Sequence, residues 1–272
     1  VVRTYRPDLS PARERELILS RDVHSALALS QYEMRYSPVV EARSGAVRAL
    51  FASFVWRHAR FGEIDAEEAR DVAQRARLSA ELELWLLRSV CQALAQTSAV
   101  PVIAELSSAQ LSDITLRERV PELLQRYPLP PRKLILTLTE DGLSEARESA
   151  AEQIAFLRDR GVRFGLRGLG ATGSGGFAGL NRLGQMVEIV TLSERLVGVL
   201  PQGREAASLA RSIIGTAVGL HLQVLAPGVQ TPEARSFLES LGCSLMGGPG
   251  VHAAVGPDAV AGTLAGKSVD PL

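Results

Sequence analysis

An α/β barrel of the (β/α)8 type, TIM-like but with an antiparallel first strand, is the fold this sequence predicts. Three observations predict it. The apolar runs of the last two thirds of the chain alternate with amphipathic helical stretches, the pattern of a parallel sheet covered by helices. Ahead of them stand two apolar runs whose connection is too short for a parallel crossover, so that pair must be antiparallel. The chain has 272 residues, 46% of them hydrophobic, enough for one barrel of roughly eight strands, and no second domain is evident.

The elements follow in order. The first 30 residues form a polar lead-in, expected as an N-terminal linker helix over 1–30. Ser10 is placed to cap that helix, Pro11 to open it, and Leu17, Val23 and Leu27 recur at near-helical spacing. "YEMRYSPVVEARSGAVRALFASFVW" then reads as two strands around an Arg43-Ser44-Gly45 turn. Helical stretches cover 65–97, and "AVPVIAEL" and "PRKLILTLT" are buried strands. A charged amphipathic helix is expected over 143–160, with "GVRFGL" and "VEIVTLS" as strands on either side of a glycine-rich stretch. "GREAASLARSIIGTAVGL" is a helix, "LQVLA" a strand, "TPEARSFLESLG" a helix and "CSLM" a short last strand. The barrel is thus expected over 31–265, with a tail at 266–272.

Composition excludes several functions. With 30 basic and 30 acidic residues the chain has no electrostatic footprint for nucleic acid or an anionic membrane. Aromatic residues make up 5%, too few for a base-stacking surface. Cys91 and Cys243 lie far apart in apolar surroundings and read as buried thiols, with neither zinc nor disulfide spacing. No run approaches the ~20 apolar residues of a membrane span, and no signal-peptide pattern is present. The chain opens on Val1 without Met, which points to a piece of a longer protein, with the cytoplasm as the expected compartment.

Gly168, Gly170 and Gly173 have the spacing of a dinucleotide-binding loop. The context does not fit, because the motif falls past mid-chain and "SGGFAGLNRL" after it is a poor helix former. The acid at the right distance, Glu188, starts a strand where a ribose-binding acid would end one. The stretch reads better as a loop at the C-terminal rim of the barrel, where barrel sites sit.

Several fragments, in order and at matching spacing, resemble the EAL domain, the bacterial barrel that hydrolyses cyclic di-GMP. They are "YEMRYSPVVEARSGAVRALFASFVWRH", "RFGEIDAEEARDVAQRA", "AELSSAQL", "LILTLTED", "GVRFGLRGLG", "LQVLAPGVQT" and "LGCSLMGG", covering about 30–260. What departs from the family is the polar set. By resemblance its signature Glu falls on Phe51, its phosphate-gripping Arg on Val55, and its metal-binding Asn on Glu105. Its ligand Glu falls on Thr137, its Asp-Asp pair on Arg167 and Gly168, and its Lys and Asp on Thr191 and Ser193. The two Glu of Glu-Gly-Val-Glu fall on Pro227 and Gln230, and the late Gln on Gly247. Glu140, which braces a loop in the family, is retained, and Trp56, Arg57 and His58 match as scaffold.

The residues themselves point the same way. Hard cations want several oxygen ligands, and among the expected strand ends only Glu105 and Glu140 are carboxylates. Arg167 puts a permanent charge where a cation would sit, a repulsion of about 4 kcal/mol between unit charges 4 Å apart at an effective dielectric of 20. Glu105 and Arg167 are therefore expected to pair with each other, the alternative being that Arg167 pairs with Glu140 and leaves Glu105 to solvent. His24, His58, His221 and His252 have no evident orienting partner and read as structural. The expectation from sequence is a chain that is not an enzyme and holds no cofactor, its Mg²⁺ or Mn²⁺ site lost. It would be a degenerate signalling module working through a protein partner or a second copy, with self-association around 170–200. A receptor that binds cyclic di-GMP without hydrolysis is the alternative, although binding of the nucleotide is not expected, and an active phosphodiesterase is a third reading.

Overall fold

The computed structural model describes residues 11–97, 100–107, 116–127, 129–139, 147–171 and 186–265. The chain packs as two compact units, Val1–Glu33 with Phe54–Leu84, and Met34–Ser53 with Trp85–Leu272.

In the first unit, α1 (Pro11–Ala26) buries Leu19, Val23 and Ala26 on one face. The end of β2 (Val47–His58) pairs antiparallel with β3 (Gly62–Ile64), Trp56 opposite Ile64. Asp65 caps α2 (Ala66–Arg75) by accepting from the Glu68 N–H at 2.8 Å. Arg15 forks onto the Glu68 carboxylate at 3.0 and 2.9 Å. The helix expected across 65–97 is two helices, α2 and α3 (Ser79–Thr97), because Arg77 takes a φ of 60° between them. His58 is buried, its Nδ1 accepting the N–H groups of Arg60 and Phe61 at 3.1 and 3.3 Å. A ring that accepts at Nδ1 donates at Nε2, here to Asp22 at 3.2 Å, so His58 fastens α1 to the end of β2.

The second unit holds the barrel. Its strands are β1 (Tyr32–Glu41), β2, β4 (Val102–Glu105), β5 (Leu134–Thr139), β6 (Arg163–Leu169), β7 (Ile189–Leu192), β8 (Gln223–Ala226) and β9 (Leu245–Met246). The pairing order β2-β4-β5-β6-β7-β8-β9 is parallel throughout. β1 closes the ring by pairing with β2 on one side and antiparallel with β9 on the other. The barrel with its reversed first strand is the predicted fold. The hairpin turns as expected at Gly45, whose N–H donates to Glu41 O at 2.9 Å with φ at 71°.

The connecting helices are α4 (Leu116–Arg126), α5 (Arg147–Arg158), α6 (Glu194–Gly198), α7 (Arg204–Gly219), α8 (Pro232–Ser240) and α9 (Val260–Ala265). Sequence analysis named no helix at α4, which carries Pro121 inside it, yet Leu116, Val120, Leu123 and Leu124 keep a buried helical face. The stretch 140–146, where the helix ending at Arg158 was expected to begin, lies outside the described residues, as does the tail.

Cys91 and Cys243 are both buried and free, and burial raises each thiol to about 12. No helix among the described residues is long and apolar enough to cross a membrane.

Candidate functional site

Seven strands of the barrel each give one side chain to a buried apolar layer: Val39, Ala49, Ile103, Ile135, Ile189, Leu225 and Leu245. Strand side chains alternate faces, so the residue two positions on points to the same interior. Towards the C-terminal ends those residues are Phe51, Glu105, Thr137 and Thr191, one step above the apolar layer on β2, β4, β5 and β7. On β6 the matching pair is Gly165 and Arg167. Gly165 is required by crowding, since a Cβ there would lie 2.4 Å from Ile189 Cγ2 and 3.2 Å from Thr137 Cγ2. Pro227 and Gly247 follow β8 and β9 directly, and both are buried.

The expected ion pair is formed. Arg167 NH1 stands 3.2 Å from Glu105 Oε1, with the side chains 30% and 17% exposed. Their strands flank β5, where Glu105 lies opposite Thr137 and Arg167 opposite Thr139. A β-bulge aims the arginine. Leu166 pairs with Val190 and Leu169 with Leu192, which leaves Arg167 and Gly168 facing the single residue Thr191. Gly168 accommodates the extra residue with φ at 79°, a conformation a side chain would resist.

The remaining positions singled out from sequence divide by what their side chains do. Thr137 is fully buried and donates its hydroxyl to Ala104 O at 3.3 Å, so it serves the sheet. Ser193 caps α6 by accepting from the Leu196 N–H at 3.1 Å. Gly247 joins the loops after β8 and β9, its N–H donating to Ala226 O at 3.0 Å and its carbonyl accepting from Val229 at 2.9 Å. Gln230 is exposed. Thr191 differs, being 3% exposed with a hydroxyl that has no hydrogen-bond partner among the described residues. Val55 is half-buried and belongs to the other unit.

Glu140 and Gly173 lie outside the described residues, as does most of the stretch before 186 that was expected to self-associate. His24 and His221 are exposed, and the His252 N–H donates to Gly248 O at 2.8 Å in a backbone turn. Sequence reasoning missed Gly165. The signal was there, because an isolated glycine inside a strand marks a close approach.

Among the described residues the rim offers no ligand set that fits a hard divalent cation. Its described carboxylate, Glu105, is engaged by a guanidinium, Thr137 offers only a neutral, fully buried hydroxyl, and Phe51 is apolar. Among the described residues no group of three or more His, Cys, Asp or Glu converges.

A family model described as the EAL domain matches residues 20–252. The chain is 28% identical over 238 residues to a Pseudomonas aeruginosa protein named cyclic di-GMP phosphodiesterase NbdA, covering 86% of this chain and 30% of that protein. It therefore spans about a third of the length of such curated relatives. Among solved structures, the PaMucR phosphodiesterase in complex with c-di-GMP superposes with a TM-score of 0.79 at 24% identity, over 89% of this chain and 99% of that one. The Pseudomonas aeruginosa FimX EAL domain bound to c-di-GMP superposes with a TM-score of 0.76 at 18% identity, over 87% and 96%. These relatives correct the expectation that the chain is not an enzyme, since NbdA, which matches 86% of this chain, is named a phosphodiesterase. The expectation that cyclic di-GMP is not a ligand weakens with it. Subtracting ligands position by position shows which atoms a rim lacks, but it does not define what the remaining rim does.

Proposed function

The chain belongs to the EAL domain family, and from that premise we propose that it works in cyclic di-GMP signalling, receiving the nucleotide at the C-terminal rim of its barrel. The observation that carries this reading is the rim's composition. A guanidinium, its paired carboxylate and a buried hydroxyl stand one step above an entirely apolar layer, at the end of the barrel where ligands bind. A dianionic dinucleotide needs cationic or strongly donating groups at its phosphates, and Arg167 is such a group. The family relationship and the two similar chains solved with c-di-GMP support the same ligand. We propose further that Phe51, Thr137, Arg167 and Gly168 replace the family's metal-holding set, so that recognition of the nucleotide does not depend on a divalent cation.

The test is a calorimetric titration of the chain with cyclic di-GMP, in chelator and in Mn²⁺, with the same samples assayed for linear dinucleotide. Micromolar binding that survives chelator is the expected result, worth about 8 kcal/mol. No heat with cyclic di-GMP at tens of micromolar would overturn the ligand. Binding or turnover that vanishes with chelator would overturn the metal-independent part alone.

A further inference from the structure

We propose that Arg167 anchors one phosphodiester of the cyclic dinucleotide through the edge of its guanidinium that Glu105 leaves open. A fixed side-chain charge would then do what a bound cation otherwise does. The inference rests on the cyclic di-GMP reading and adds to it the anchoring residue and the sign of its charge.

Three features converge on Arg167. A guanidinium carries five N–H donors, and the contact with Glu105 uses NH1. The Nε atom is buried and has no hydrogen-bond partner among the described residues. On the adjoining strand, opposite the bulge that carries Arg167, the Thr191 hydroxyl is a second buried group without a partner among the described residues. Buried polar groups are mostly satisfied, and of the few buried side-chain atoms without a partner among the described residues these two stand on neighbouring strands at the rim, where one ligand could serve both. Finally, the Arg167 side chain is 30% exposed, so an anion reaches it without opening the barrel. Turning the guanidinium towards a phosphate at the mouth gives Nε an acceptor, while Glu105 steadies the other edge and tempers the affinity with its own negative charge.

The two possible roles of Glu105 predict opposite signs. As a cation ligand it would support binding, so Glu105→Gln would weaken it. As the restraining partner of Arg167 it opposes an anion, so Glu105→Gln should tighten cyclic di-GMP binding several-fold in chelator. Arg167→Ala should weaken binding at least tenfold, equivalent to about 1.4 kcal/mol, and should flatten its salt dependence. Arg167→Lys should recover part of the affinity, and Thr191→Val should cost less than Arg167→Ala. Circular dichroism melts of each variant identify any loss due to misfolding, and the Lys variant keeps the test open if the Ala variant does not fold. Inorganic phosphate serves as competitor, and displacement only at millimolar concentration is expected. Equal competition by phosphate would reduce the site to a general anion pocket and overturn the proposal. Binding by the wild-type chain that is indifferent to Arg167→Ala would overturn the anchor and leave the ligand standing. Absence of binding by the wild-type chain would overturn the functional reading itself.

Discussion

On β4, β5 and β7, Ile103, Ile135 and Ile189 are followed two residues later by Glu105, Thr137 and Thr191, on the same strands and the same interior face. The lower three belong to the buried apolar layer and are specified by volume. The upper three carry polar atoms in three different states. The Thr137 hydroxyl is spent on the sheet, Glu105 is paired with Arg167, and the Thr191 hydroxyl has no hydrogen-bond partner among the described residues. Packing alone would have favoured a second aliphatic layer. The polar side chains thus begin one step above the apolar layer, at the end of the barrel proposed to receive the ligand.

Substitutions sharpen this contrast, the largest expected effect first. Ile135→Ala or Ile189→Ala should destabilise the chain by about 2–5 kcal/mol, the usual cost of a large-to-small core change. Urea unfolding measures it, and a loss under 1 kcal/mol would dissolve the distinction between the layers. Gly165→Ala should cost about 1–3 kcal/mol by overpacking, because its Cβ would also lie 2.8 Å from Ile189 O. Thr137→Val should cost about 0.5–1.5 kcal/mol, the worth of one hydrogen bond. Thr191→Val, a change of the same chemistry on the same face, should be neutral or slightly stabilising, since it removes a hydroxyl without a partner among the described residues. Equal losses at the two threonines would mean that the Thr191 hydroxyl is satisfied in solution and carries no functional meaning.

The barrel was legible in the sequence because alternating apolar runs and helical stretches leave few other topologies. The reversed first strand followed from the three-residue turn at Arg43-Ser44-Gly45. The pairing of Glu105 with Arg167 was legible too, because opposite charges on near-neighbour strands at one rim gain by pairing, with Glu140 the other candidate. What could not be read was conformation without a compositional cue. The bulge opposite Thr191 depends on pairing with β7, a partner far along the chain, and Gly168 alone does not announce it. The break at Arg77 is similar, because an arginine at positive φ has no sequence signature. The correction lies in the step from site to activity. Departures from one ligand set point to a chain that is not an enzyme, whereas a relative matching 86% of this chain is named a phosphodiesterase.

The two buried thiols turn the barrel into its own stopwatch. Cys91 and Cys243 both lie in the unit that carries the rim, and burial holds both protonated to about 12. At neutral pH a thiol-reactive dye can therefore reach them only through openings of the structure, and its rate of reaction counts those openings. A single slow phase that accelerates in urea and in Ile135→Ala is expected, and prompt labelling of the native chain would contradict the burial. Because the folded thiols are raised above their ordinary value of 9.0, stability should hold below pH 9.0 and decline as pH climbs from there towards about 12. If cyclic di-GMP binds at the rim, the same clock should slow on adding it, since a ligand that prefers the closed form makes every opening rarer.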